Sequence, residues 1–183
     1  FDSYVNGLKT EKPFIDVSKV DIYRLPVYEA KANGETWYYH DVNSEAYIAY
    51  NTNKYTSSNL VIPNTIDNYP VVGITDEAFV DSQGCITNII VPNTVRKIGA
   101  HAFAHNTNLW SIAIPSSVTD IGQDVFKKST NLKKIYLEEG SSLTDECFYD
   151  SYHVNLHPNC KIIRTKFENG LPVIPQEDQP NNN

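Results

Sequence analysis

Along the middle of the chain the apolar positions recur in fixed groups. The run Ile112 to Phe126 (IAIPSSVTDIGQDVF) repeats the run Ile89 to Phe103 (IIVPNTVRKIGAHAF) position for position, at an offset of 23 residues. Phenylalanine marks one column, at Phe79, Phe103, Phe126 and Phe148, and each is preceded five residues earlier by Ile74, Ile98, Ile121 or Leu143. A second column runs Leu60, Ile89, Ile112, Ile135 and Val154, with an apolar partner two places on at Ile62, Val91, Ile114, Leu137 and Leu156. A spacing of two puts both side chains on one side of a strand, so each unit is predicted to contribute a strand with an inward pair. Self-similarity at a short fixed period marks a solenoid. Four units are visible.

The residues between these columns predict the path of each coil. Pro63, Pro92 and Pro115 follow the strands, where a residue without a backbone donor can end a ladder and let the chain turn. Val95 and Ile98, or Val118 and Ile121, then point inward again, before Gly99 or Gly122 and a short Ala-Phe or Val-Phe segment that fills the core. A single unit has no second face to pack against, so several must stack and the ends need caps. Unit one (60–88) carries the insertion Asp67 to Val72, units two and three occupy 89–111 and 112–134, and unit four is degenerate, with Glu138 in place of proline. Residues 154–168 read as a last strand and cap, which ends a repeat region over 60–168; 169–183 read as a mobile tail. Ahead of the coils, Thr36 to His40 and Ala46 to Tyr50 flank a polar turn, which predicts a β-hairpin cap over 25–59. Such a cap would cover the open edge of the first coil. Residues 1–24 show no periodicity and are left as a segment of unknown structure.

The runs Val91 to Phe103 and Ile114 to Phe126 resemble the BspA-type (Treponema-type) leucine-rich repeat. The likeness covers roughly residues 60–153. It implies a right-handed leucine-rich-repeat solenoid of short strands, turns and short helical segments, here with the hairpin as its N-terminal cap. It also implies a secreted or cell-surface protein of host-associated bacteria, in a family where some members bind extracellular-matrix proteins and other bacteria, and it implies no chemistry. The family often has cysteine three residues after the phenylalanine, whereas this chain has Ser82, Asn106, Ser129 and Ser151.

Composition narrows the function classes. With 40% hydrophobic and 20% charged residues, the chain is apolar enough to fold around a core. A net charge of -7 argues against nucleic acid, whose recognition needs clustered Lys and Arg. No run approaches the roughly 18 apolar residues of a membrane-spanning helix. The chain opens on Phe1 and holds no methionine, the pattern left when an N-terminal segment, such as a leader, has been removed. Cys85, Cys147 and Cys160 are an odd number of thiols and imply no disulfide framework.

Catalytic and nucleotide-binding motifs such as G-x-S-x-G, H-E-x-x-H, Walker A and G-x-G-x-x-G are missing, so no catalytic residues and no cofactor are assigned. His101 and His105 have a helical metal spacing, but His101 aligns with Gln123 and Glu77, so both read as surface histidines. Cys147, His153, His157 and Cys160 carry zinc-type ligands, yet Cys147 aligns with the small residues Ala78, Ala102 and Val125 and reads as part of the core. Asp41, Asn43 and Glu45 have the start of a calcium-loop spacing without its later glycine and glutamate, and read as a turn. No metal site is therefore assigned. Acidic residues gather at Glu138, Glu139, Asp145, Glu146 and Asp150, and basic ones at Arg96, Lys97, Lys127, Lys128, Lys133 and Lys134; both read as solvated faces able to steer a charged partner.

The sharper candidate is the outward row of the strand column, Val61, Ile90, Ala113, Tyr136 and Asn155, flanked by Trp110, Ser111, Lys133 and Lys134. Such a ribbon predicts a contact surface, unless residues 1–24 fold across it. The function expected is non-catalytic recognition of a protein partner, from the host matrix or a bacterial surface, with self-association as a variant. The alternative is a surface glycan-binding module, suggested by twelve tyrosines and two tryptophans.

Overall fold

The computed structural model describes residues 4–5, 8–9, 14–16, 19–51, 55–82, 85–149 and 159–179. In chain order its strands are β1 (Tyr4–Val5), β2 (Leu8–Lys9), β3 (Tyr28–Ala32), β4 (Glu35–Val42), β5 (Glu45–Ile48), β6 (Asn59–Val61), β7 (Thr65–Ile66) and β8 (Tyr69–Ile74). They continue with β9 (Asn88–Ile90), β10 (Lys97–Ile98), β11 (Ser111–Ile114), β12 (Asp120–Ile121), β13 (Lys134–Glu138), β14 (Lys161–Thr165), β15 (Phe167–Glu168) and β16 (Leu171–Pro172). Together they form a β-solenoid of about four turns.

One wall of the coil is the parallel sheet β6-β9-β11-β13-β14. Its register puts Leu60, Ile89, Ile112, Ile135 and Ile162 in one inward row, and Val61, Ile90, Ala113, Tyr136 and Ile163 in the outward row beside it. The place opposite Tyr136 expected for Asn155 is thus taken by Ile163, because the fifth strand is Lys161–Thr165. Asn155 itself lies outside the described residues. A second wall runs β12-β10-β8-β5-β4-β3. In it Ile74, Ile98 and Ile121 stand in register.

The hairpin β4-β5 is part of an antiparallel three-stranded meander with β3, and β5 pairs in parallel with β8. The cap therefore continues the second wall by backbone hydrogen bonds. Its edge strand β3 carries Glu29 and Lys31, charges that discourage a further strand from pairing there. The insertion in unit one forms the turn at Asp67 and Asn68, with φ of 48° and 68°, and the first part of β8, which pairs antiparallel with β7 just before it.

The third side differs from the sequence reading. Short helical segments are implied for the coils, but the segments after Gly99 and Gly122 are open turns bonded to the next coil: Phe79 N–H donates to Ala102 O (2.8 Å), Phe103 N–H to Val125 O (2.9 Å) and His105 N–H to Lys127 O (2.7 Å). Left-handed residues recur at Glu77, His101 and Asp124, and again at Asp81, His105 and Lys128. They rule out a right-handed helical turn there. Among the described residues only Ile22–Arg24, Asp145–Phe148 and Gln176–Asp178 form 3-10 turns.

The core follows from the stacking of like on like. Phe79 and Phe103 lie 5.2 Å apart between ring centroids, Phe103 and Phe126 5.8 Å, and Phe126 and Phe148 6.1 Å. Tyr55 extends this column onto the cap, 5.5 Å from Phe79 and 5.4 Å from Trp37. Each such pair adds about 0.5–1.5 kcal/mol beyond its buried area. Close coil contact explains the glycines: a Cβ on Gly122 would lie 2.2 Å from Ala100 N, and one on Gly99 2.3 Å from Asp76 N.

The polar residues after each phenylalanine also have a role. Asn106, buried, donates from Nδ2 to Phe79 O (2.7 Å) and Phe103 O (3.0 Å), and accepts from Ser82 N–H (3.1 Å). Ser129 Oγ accepts from Asn106 N–H (3.1 Å) and donates to Phe103 O (2.8 Å). Asn106 and Ser129 thus pair backbone groups that these turns would otherwise leave buried and unsatisfied, and Ser82 joins them through Asn106.

Candidate recognition surface

The outward row of the first wall is uncovered at one end and covered at the other. Val61 is 42% exposed and Ile90 half-buried, whereas Ala113 and Tyr136 are only 3% and 5% exposed. Ser111 is buried, Lys133 half-buried, and Trp110 is 44% exposed. The expected continuous exposed ribbon is therefore corrected: Ala113, Tyr136 and Ser111 present almost no surface.

The cover is the C-terminal segment. After β14 the chain forms the β15-β16 hairpin, with β16 lying against β13. Val173 N–H donates to Lys166 O (2.8 Å), and Thr165 Oγ1 donates to Val173 O (2.5 Å). Further on, Lys134 Nζ donates to Asp178 O (3.0 Å) and pairs with its carboxylate (3.3 Å), both side chains being largely buried. Residues 167–179 thus form a strap on the wall, where the sequence reading has a mobile tail from 169.

The N-terminal segment takes a different face. Asn43 brackets Ile15, accepting from its N–H and donating to its carbonyl at 2.7 Å each. Tyr23 OH accepts from Asp76 N–H (3.0 Å), and burial helps push this phenol up to about 12. Residues around Ile15 and Val20–Leu25 enclose a cleft of about 480 Å³ against Val42, Tyr47, Val72 and Ile74 of the second wall. Among the described residues, then, the cover over the ribbon comes from the C-terminal side.

At the start of the strap, Val61, Ile90 and Leu171 line a shallow groove of about 380 Å³ together with Ile62, Pro92, Asn33, Asn64, Asn93 and Asn169. Asn33 Nδ2 donates to Val61 O (3.1 Å), and Asn33 and Asn169 occupy left-handed turn positions before Gly34 and Gly170. Leu171 is itself exposed. No feature of the sequence outside the repeats signalled that this residue would join Val61 and Ile90.

The other candidates resolve locally. Lys97 and Asp120 pair in register between adjacent coils, so His101 stands beside Asp124 rather than Gln123; its Nε2 lies 3.5 Å from the Asp124 carboxylate, which Lys127 also approaches at 3.2 Å. His105 is exposed. Asn43 and Ser44 form the β4-β5 turn, with Ser44 N–H donating to Asp41 (3.1 Å) and Glu45 bound by Arg96. Arg164 pairs with Asp145 at 3.0 Å. Cys147 and Cys160 pack against the core, and burial pushes the Cys160 thiol up to about 11. His153 and His157 lie outside the described residues, as do Asp150 and Ser151. Among the described residues no group of three or more His, Cys, Asp or Glu could hold a metal ion, and no helix is long and apolar enough to cross a membrane.

No curated protein matches the chain. Similar solved structures include a leucine rich cell surface protein from Faecalibacterium prausnitzii A2-165, with 20% identity and a TM-score of 0.48, covering 74% of this chain and 42% of that one. Another is the T. pallidum leucine rich repeat protein, with 20% identity and a TM-score of 0.46, covering 76% of this chain and 62% of that one. The chain thus spans less than two thirds of the length of either. The model of the BspA type leucine rich repeat region matches residues 46–174 in six copies, two more than the four plain units, and reaches from β5 past β16. The chain belongs to the BspA-type leucine-rich repeat family.

Proposed function

We propose that this chain is a non-catalytic recognition module of a cell-surface or secreted protein, and that it binds a protein partner through the groove formed by Val61, Ile90 and Leu171. The carrying observation is the lining of that groove, in which Val61, Ile62, Ile90, Pro92 and Leu171 stand together with four asparagines. An apolar centre within a polar rim is how protein interfaces are built, and clustered exposed apolar side chains mark contact sites. Membership of a leucine-rich repeat family, generally non-catalytic, supports the same reading. The partner class is a host extracellular-matrix protein or a bacterial surface protein; a second copy of the chain would be seen as a doubled mass in light scattering.

Val61→Glu combined with Leu171→Glu tests this. Both side chains are exposed in the free chain, so the fold should survive, whereas a charge buried in an interface without a partner loses its hydration. Capture from matrix and bacterial-surface extracts should fall to background in the double variant at an unchanged melting temperature. Equal capture by the folded double variant would overturn the assignment of this groove.

A further inference from the structure

The side of the first wall where the strands begin carries a second groove of different chemistry. Its columns are set by the 23-residue period: Thr87, Trp110 and Lys133 stand in one, Asn108 and Asn131 in another. Trp110 N–H donates to Thr87 O (2.7 Å) and Lys133 N–H to Trp110 O (2.9 Å), so the three are fixed as neighbours on successive coils. Trp37 is fully buried in the cap, which leaves Trp110 as the exposed tryptophan. Lys134 Nζ sits 5.3 Å from the centroid of the Trp110 ring, and the ion pair with Asp178 holds that ammonium in place.

The groove beside the ring measures about 430 Å³ and is lined by Thr87, Asn88, Asn108, Trp110, Asn131 and Lys133. Several of its polar groups are already oriented. Asn88 Nδ2 donates to Asn59 Oδ1 (2.7 Å), Asn88 Oδ1 accepts from Ser111 Oγ (2.5 Å), and Asn131 Nδ2 donates to Thr107 O (2.6 Å). The lining contains one large flat apolar surface, three amides, one hydroxyl and one ammonium, with no carboxylate and no aliphatic side chain.

We infer that the Trp110 groove is a binding subsite for the pyranose ring of a neutral glycan. A pyranose has a face of C–H groups that packs on an aromatic ring and an edge of hydroxyls that both donate and accept, as amides and hydroxyls do. A protein interface packs an apolar core inside its polar rim, and the lining here offers no aliphatic side chain beside the ring to build one. A nucleobase would also stack on the ring, but its phosphates meet a chain of net charge -7. The subsite is distinct in residues from the groove of Val61, Ile90 and Leu171, and does not rest on the protein-binding reading.

The two tryptophans give a direct readout. Cellotriose, maltotriose, chitotriose and lactose are titrated against the whole chain, following emission and acrylamide quenching, and the same sugars are displayed multivalently on an array. At least one should bind saturably and shield Trp110 from quenching. Trp110→Ala should weaken that binding about tenfold or more and remove the fluorescence response, while Trp110→Phe keeps part of the affinity. Asn131→Ala and Lys133→Ala, which leave the ring in place, should each weaken it roughly threefold to tenfold. Val61→Glu should leave it unchanged, which separates failure here from failure of the protein-binding groove. Absence of binding to every sugar in both formats, or undiminished binding by Trp110→Ala or by both of the other two variants, would overturn the assignment.

Discussion

Val61 and Tyr136 stand in the same outward row of the same parallel sheet, and each extends away from an inward neighbour, Leu60 or Ile135. One is 42% exposed and the other 5%. The repeat dictates the position of both and the surroundings of neither. What separates them is chain outside the regular coils: the strap 167–179 crosses the Tyr136 end and leaves the Val61 end open, with Leu171 at the boundary. On the second wall the segment around Ile15 and Val20–Leu25 acts similarly through Asn43 and Asp76. A solenoid of this kind thus has an interior set by its period and an exposed surface set by its wrappings.

The interior gives the scale against which the wrappings can be judged. Phe126 lies between Phe103 and Phe148 in the ring column, so Phe126→Ala should cost about 3–5 kcal/mol in urea unfolding, through lost burial and a cavity. A cost below about 1 kcal/mol would mean that the coils do not share one core. Ending the chain after Lys166 should cost less, roughly 1–3 kcal/mol, since the strap contributes two short strands and one largely buried ion pair. It should also open Tyr136 to nitration, mapped by peptide mass. Retention of full stability and a protected Tyr136 would show that something else covers the row. Asp178→Ala, which leaves Lys134 without its carboxylate, should cost about 1–2 kcal/mol, and a neutral result would place the hold of the strap in its apolar residues instead.

The parts legible in the sequence are those the period repeats. The Phe column, the inward pairs and the close-packed Gly99 and Gly122 each recur at least twice, so local pattern and packing coincide. The end of the repeat was harder to place. Unit four lacks its proline, the apolar pair Val154 and Leu156 that continues the strand pattern lies outside the described residues, and the strand paired with β13 is Lys161–Thr165. The strap was not legible, because Leu171, Val173 and Ile174 are punctuated by Pro172 and Pro175 and owe their order to contacts with β13, β14 and Lys134 rather than to any period of their own. Strand β3, with the burial pattern of an exposed edge, escaped for the same reason. Asn106 and Ser129 stand out as departures from the family's cysteine, but their role depends on carbonyls of neighbouring coils.

The difference between the two ends of the row can be measured with one substitution made twice, by comparing urea midpoints of Val61→Glu and Tyr136→Glu, each in the whole chain and in the chain ending at Lys166. In the whole chain Tyr136→Glu should cost at least about 2 kcal/mol, because the carboxylate is forced under the strap without a partner, and Val61→Glu should stay within about 0.5 kcal/mol of the parent. In the shortened chain the gap should shrink toward zero. Equal small costs in the whole chain, or a gap that survives loss of the strap, would contradict the view that residues 167–179 decide which part of the row is open to a partner.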